Sequence, residues 1–96
     1  MQVPLEIDFR NVKRSDAISE HIHEKANKLE QFSHHIISCH VTLEQTQPTE
    51  SNHTFYRTNI LVEVPGKELD ASHDSDENLY VTIKEAFQKI TRQVED

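Results

Sequence analysis

Seven histidines, one cysteine, 17 carboxylates and 10 lysines and arginines are the groups in this chain whose types could do chemistry. Two histidine clusters, His21-Ile22-His23 and His34-His35, invite a metal reading. Helical neighbours at i and i+2 do not face each other, and no Cys or His set stands at a structural zinc spacing. Solvent-exposed histidines and no metal are therefore expected. His40 and His73 carry no mark of a catalytic base. Cys39 falls on the apolar side of an alternating segment, where a free cysteine reads as a small buried hydrophobe rather than a nucleophile. The carboxylates are dispersed, whereas acid/base work needs a pair in one cleft with separated pKa values. One glycine excludes a glycine-rich phosphate loop, and neither CxxC nor HExxH occurs. The expectation is a chain that is not an enzyme, with no cofactor and no small-molecule substrate.

The cations are more informative. Arg10, Lys13 and Arg14 cluster before the first helix, Lys25 and Lys28 lie one turn apart on it, and Lys89 and Arg92 lie one turn apart on the second. In the bland reading Lys28 pairs with Glu24, Lys89 pairs with Glu85, and the rest is solubilising charge. The net charge of −7 favours that reading and argues against nucleic acid. The acid is unevenly spread, however. Residues 1–35 hold 5 bases and 6 acids, and residues 36–96 hold 5 bases and 11 acids. His21, His23, His34 and His35 would add positive charge to the first third below about pH 6.5.

The elements that must position these groups follow from hydrophobic periodicity. Val3, Leu5, Ile7 and Phe9 alternate with polar residues and predict a half-buried strand, with Pro4 marking a sheet edge. Ser15 suits a helix N-cap, and Ile18, Ile22, Leu29 and Phe32, with Ala26, trace an apolar stripe to a helix end near Ser33 or His34. Ile37, Cys39, Val41 and Leu43 predict a second strand. Residues 47–54 hold no aliphatic residue and predict a mobile loop. A third strand points Tyr56, Thr58, Ile60, Val62 and Val64 inward, Pro65-Gly66 makes a tight turn, and a short fourth strand buries Leu69 and Ala71. His73 to Glu77 read as an acidic loop whose carboxylates suit the N-terminus of a second helix. That helix carries Leu79, Ile83, Phe87, Ile90 and Val94, with Tyr80 and Ala86, and Glu95 and Asp96 are expected to fray its end. The order is β-α-β-β-β-α, an α+β fold with a parallel first pair and two helices on one face of a four-stranded mixed sheet.

Ninety-six residues suit one domain, 1–96, with a modest core. No apolar run approaches the roughly 20 residues of a membrane span, the first ten residues do not form a secretory signal, and a lone cysteine excludes an intrachain disulfide. A cytoplasmic setting without membrane contact is expected.

Two segments carry a family likeness. Lys25-x-x-Lys28-Leu29-Glu30-Gln31-Phe32, and Glu77-Asn78-Leu79-Tyr80-Val81-Thr82-Ile83 leading to Lys89-x-x-Arg92-Gln93, resemble the ribosome hibernation promoting factor and ribosome-associated inhibitor family, also labelled as sigma-factor modulators. The resemblance spans residues 2–94. It implies a fold like that of double-stranded RNA-binding domains and a bacterial cytoplasmic protein. Its partner would be the small ribosomal subunit, bound as a monomer through 16S rRNA in the decoding and tRNA channel, so that idle ribosomes are silenced or preserved. It places Lys25, Lys28, Lys89 and Arg92 at RNA-contacting positions, with Lys13, Arg14 and Lys84 as auxiliaries and Tyr80 packing the second helix on the sheet. Many short members carry a basic tail where this sequence reads Val94-Glu95-Asp96, and Ser19 and His35 stand where a base is common. Without the added C-terminal domain of long members, ribosome pairing by that route is not expected. The alternative is a protein-interaction module on the same fold with weak or lost ribosome affinity.

Overall fold

The computed structural model describes residues 3–32, 35–46, 54–75 and 78–95. The alternating segments form strands β1 (Leu5–Arg10), β2 (Ser38–Thr46), β3 (Phe55–Val64) and β4 (Lys67–Ser75), and the two stripes form helices α1 (Asp16–Phe32) and α2 (Leu79–Glu95). The strands hydrogen-bond in chain order, β1-β2-β3-β4. β1 runs parallel to β2 with Leu5 opposite Cys39 and Arg10 opposite Glu44, and the other two pairs are antiparallel. This is the β-α-β-β-β-α, α+β arrangement expected from the sequence. Pro4 precedes the edge strand, where its missing N–H costs nothing, and its carbonyl accepts from Cys39 N–H at 3.0 Å.

Local chemistry sets the boundaries. Ser15 Oγ accepts the N–H of Ile18 at 3.3 Å and caps α1. Asn78 Oδ1 does the same for Val81 N–H at 3.0 Å and caps α2. Pro65-Gly66 turns β3 into β4 with Gly66 at φ 84°, the geometry of the third residue of a type II turn. Asn11, at φ 58°, turns the chain out of β1, a conformation Asn tolerates better than most residues.

Both helices pack on one face of the sheet. The core joins Ile22, Ala26 and Leu29 of α1, Val41 and Leu43 of β2, Ile60 and Val62 of β3, Ala71 of β4, and Ile83, Ala86, Phe87 and Ile90 of α2. Cys39 lies in it, and burial pushes its thiol up to about 11, which keeps it an un-ionised hydrophobe. One polar link crosses the core. Thr82 Oγ1 donates to Leu79 O at 2.7 Å, so its 2.8 Å contact with Thr58 Oγ1 uses the Thr58 proton. Both threonines are fully buried, and every hydroxyl proton is placed.

In its elements and core the structure departs from the sequence-based expectation at β4, Ile37, Phe32 and Tyr80. β4 is not short: His73, Asp74 and Ser75 pair with Thr58, Arg57 and Tyr56 rather than looping. Backbone pairing to a long neighbour extends the strand where side-chain periodicity fades. Ile37 is exposed while Ile36 is buried, because β2 begins at Ser38 and the inward parity does not extend ahead of it. Phe32, placed on the core stripe of α1, is 61% exposed. Tyr80 is 44% exposed and packs on α1, not on the sheet. The expected helix end at Ser33 or His34, the loop over 47–53, the acidic pair Asp76 and Glu77, and Asp96 lie outside the described residues.

Candidate nucleic-acid interface

The site is built from helix spacing. Lys84, Gln88 and Arg92 recur every four residues, so they form one row on α2. Lys25 and Lys28 form the matching row on the second half of α1. α1 and α2 lie side by side, and these rows border a groove of about 290 Å³. Buried Leu29 and Phe87 form its floor, Phe32 stands at its α1 side, and among the described residues no carboxylate lines it.

The cations of the groove are not spent on local pairing. Among the described residues, neither the Lys28–Glu24 nor the Lys89–Glu85 ion pair forms within 4 Å, and Lys25, Lys84 and Arg92 also lack one. The charged contacts that do form are elsewhere, two of them Arg–carboxylate ion pairs and the others contacts of the His40 ring. Arg10 meets Glu44 at 3.9 Å, Arg57 meets Asp74 at 3.5 Å, and His40 lies 3.0 Å from Asp8 and 3.5 Å from Glu6. All of these occupy the outer face of the sheet.

The sequence-derived residues therefore separate into three places. Lys25, Lys28, Arg92 and Lys84 share the groove. Lys89 does not: it sits five residues from Lys84, about 140° around the helix, and reaches back to β4. Its Nζ donates to Ser72 O at 3.0 Å and lies 3.1 Å from His73 Nδ1. Next to it, Gln93 Nε2 donates to Asp70 O at 2.7 Å. Lys13 and Arg14 precede the N-terminus of α1, eleven and more residues before Lys25, with about 14 Å of helix in between. The Arg14 guanidinium lies 5.7 Å from the Phe9 ring centroid, a cation–π contact that ties this arginine to the end of β1.

Aromatic contact closes the seam between the helices. The His21 and Tyr80 rings meet edge to face, 5.1 Å between centroids at 72°. His21 is thus not the exposed histidine expected from its sequence. Its Nε2 is buried without a hydrogen-bond partner among the described residues. Burial first, and the charge of Lys25 second, hold its pKa below the ordinary histidine value, against a smaller upward pull from Glu24.

The sequence reading missed Phe32, Gln88 and Thr91 as parts of this surface. A signal was present for the first. At about 100° per residue, Phe32 falls between Lys25 and Lys28 around α1, well off the line through Ile22 and Leu29. Among the described residues no group of three or more His, Cys, Asp or Glu is arranged to hold a metal ion, and no helix is long and apolar enough to cross a membrane.

The fold and the groove define a class: a two-layer α+β domain whose helical side presents converging cations. Residues 5–96 match the family described as Sigma 54 modulation protein / S30EA ribosomal protein, and the chain belongs to that family of ribosome hibernation promoting factors. Its fold is shared with the N-terminal domain of Protein Y from Thermus thermophilus, at a TM-score of 0.73 and 21% identity, covering 99% of this chain and 97% of that one. It is shared also with a ribosomal subunit interface protein from Coxiella burnetii, at a TM-score of 0.76 and 19% identity, covering 96% and 93%. At these identities the likeness is one of fold. A search of curated proteins finds no match.

Proposed function

We propose that this chain is a cytoplasmic, non-enzymatic ribosome-binding protein, one domain over 1–96, that occupies the decoding and tRNA channel of the small subunit. It inhibits translation or preserves idle ribosomes by steric occlusion, so it needs no cofactor. Lys25, Lys28, Lys84 and Arg92 hold 16S rRNA phosphates, and the domain acts as a monomer there. The observation that carries this reading is the convergence of four cations, free of ion pairs among the described residues, in one groove of an acidic molecule. Folded RNA is gripped through shape and phosphate contacts, which need positioned Lys and Arg rather than a reactive group. Family membership and the two structural neighbours support the same reading. Lys89 stays with β4 in this scheme, and Lys13 and Arg14 contribute only at the periphery.

Co-sedimentation with purified ribosomes over a salt series tests it. Four phosphate contacts predict that log K falls against log salt with a slope of roughly −3, with the protein on the small subunit. Salt-independent association, or none, would overturn it in favour of a protein-interaction module.

A further inference from the structure

Phe32 is the least expected residue of the groove. A phenylalanine ring 61% exposed forfeits most of the burial that usually places it in a core. Of the three large exposed hydrophobics among the described residues, Tyr80 has its ring partner in His21, and Ile37 lies just before β2. Phe32 alone lines the cationic groove, and among the described residues its ring touches no other ring and no guanidinium. It stands on the same side of α1 as Lys25 and Lys28, with Arg92 across the groove and an apolar floor beside it. A bare aromatic face surrounded by cations is the pairing that single-stranded nucleic acid uses, the ring for the base and the cations for the backbone.

Resting on the RNA reading above, we propose that the groove between α1 and α2 takes an unpaired nucleotide of RNA, its base stacked on Phe32 and its flanking phosphates on Lys25, Lys28 and Arg92. A duplex cannot fill this role, because its bases offer no free face and its backbone alone would leave Phe32 in water. Gln88, exposed on the same wall, supplies one amide donor and one acceptor for a base edge. A partner helix fits less well, since the apolar floor is short and four cations surround it.

The chain has no tryptophan, so Phe32→Trp installs a single reporter where the base would sit. Its emission should be quenched by a short single-stranded oligoadenylate and not by the same strand in a duplex. Phe32→Leu should weaken binding to that oligonucleotide, and to the small subunit, by at least about fivefold with the salt slope unchanged. Phe32→Tyr and Phe32→Trp keep a ring and should retain affinity, which separates stacking from any loss of packing in the leucine variant. Wild-type affinity of Phe32→Leu, or equal quenching by duplex, would overturn the stacking proposal. If Lys28→Glu and Arg92→Glu still abolish small-subunit binding in that case, the phosphate grip survives. If those reversals have no effect either, the ribosome-binding reading itself fails.

Discussion

The outer face of the sheet and the groove between the helices treat their charges in opposite ways. On the outer face of the sheet stand Glu6 and Asp8 of β1, Glu44 of β2, Glu63 of β3, and Glu68, Asp70 and Asp74 of β4, against Arg10 and Arg57. There both arginines are tied to carboxylates, and Glu63 lies directly opposite Glu68. Between the helices, Lys25, Lys28, Lys84 and Arg92 converge in one groove with no carboxylate among its described lining residues, while Glu24, Glu30 and Glu85 stand elsewhere on α1 and α2. The difference explains how a chain of net charge −7 belongs to a family whose name joins it to the ribosome. Net charge governs solubility and long-range encounter, while contact at about a Debye length or less reads only the nearest face. On the proposed RNA reading, acid on the sheet would repel a polyanion from that side and favour approach to the groove.

The comparison breaks most severely if the groove is reversed. Lys25, Lys28, Lys84 and Arg92 all changed to Glu should lower small-subunit affinity by at least about a hundredfold in sedimentation, with the fold intact by circular dichroism. Lys89→Glu alone should change affinity by no more than about threefold, because that side chain serves β4. A larger loss from Lys89 than from Lys84 would mean that the groove is not the contact surface.

Next in size is the seating of α2, which sets the groove's far wall. Thr82→Val removes the acceptor for Thr58 and leaves a buried hydroxyl unpaired, which should cost about 1–3 kcal/mol in denaturant unfolding. The loss should appear as stability first, with affinity per folded molecule unchanged.

A smaller contrast is set by pH at the seam. The folded-state pKa of His21 is depressed, so its contribution to stability is fully present above the ordinary histidine value and is lost as pH falls through and below it. His21→Phe should flatten the acid limb of a thermal unfolding profile measured across that range. The smallest effect belongs to the sheet. Glu68→Gln relieves the pairing with Glu63 and should shift stability by no more than about 0.5 kcal/mol, with a slight gain in non-specific RNA binding at low salt.

Much of the fold was legible because its strands alternate cleanly. Leu5, Ile7 and Phe9, then Cys39, Val41 and Leu43, announce strands and their inward sides, and the Pro65-Gly66 turn sets the register of the last hairpin. Illegible were features that depend on partners distant in sequence. His73 and Asp74 join β4 because Thr58 and Arg57 are already in place, and nothing local says so. The candidate groove was half legible. The likeness names Lys25, Lys28 and Arg92, with Lys84 as an auxiliary, and all four line the groove, whereas the turn of Lys89 toward β4 follows from which flank of α2 meets α1, a fact of packing. Phe32 looked like core because its type is core-like, and only its angular position between two lysines spoke otherwise.

Lys89 and Gln93 also determine how this sheet ends. β4 is its last strand, and the outward carbonyls of Ser72 and Asp70 are two of the groups through which another chain would extend it. Both are already occupied by side chains reaching down from α2. A newcomer strand would first have to strip them away, so this border of the molecule is guarded against self-templated polymerisation.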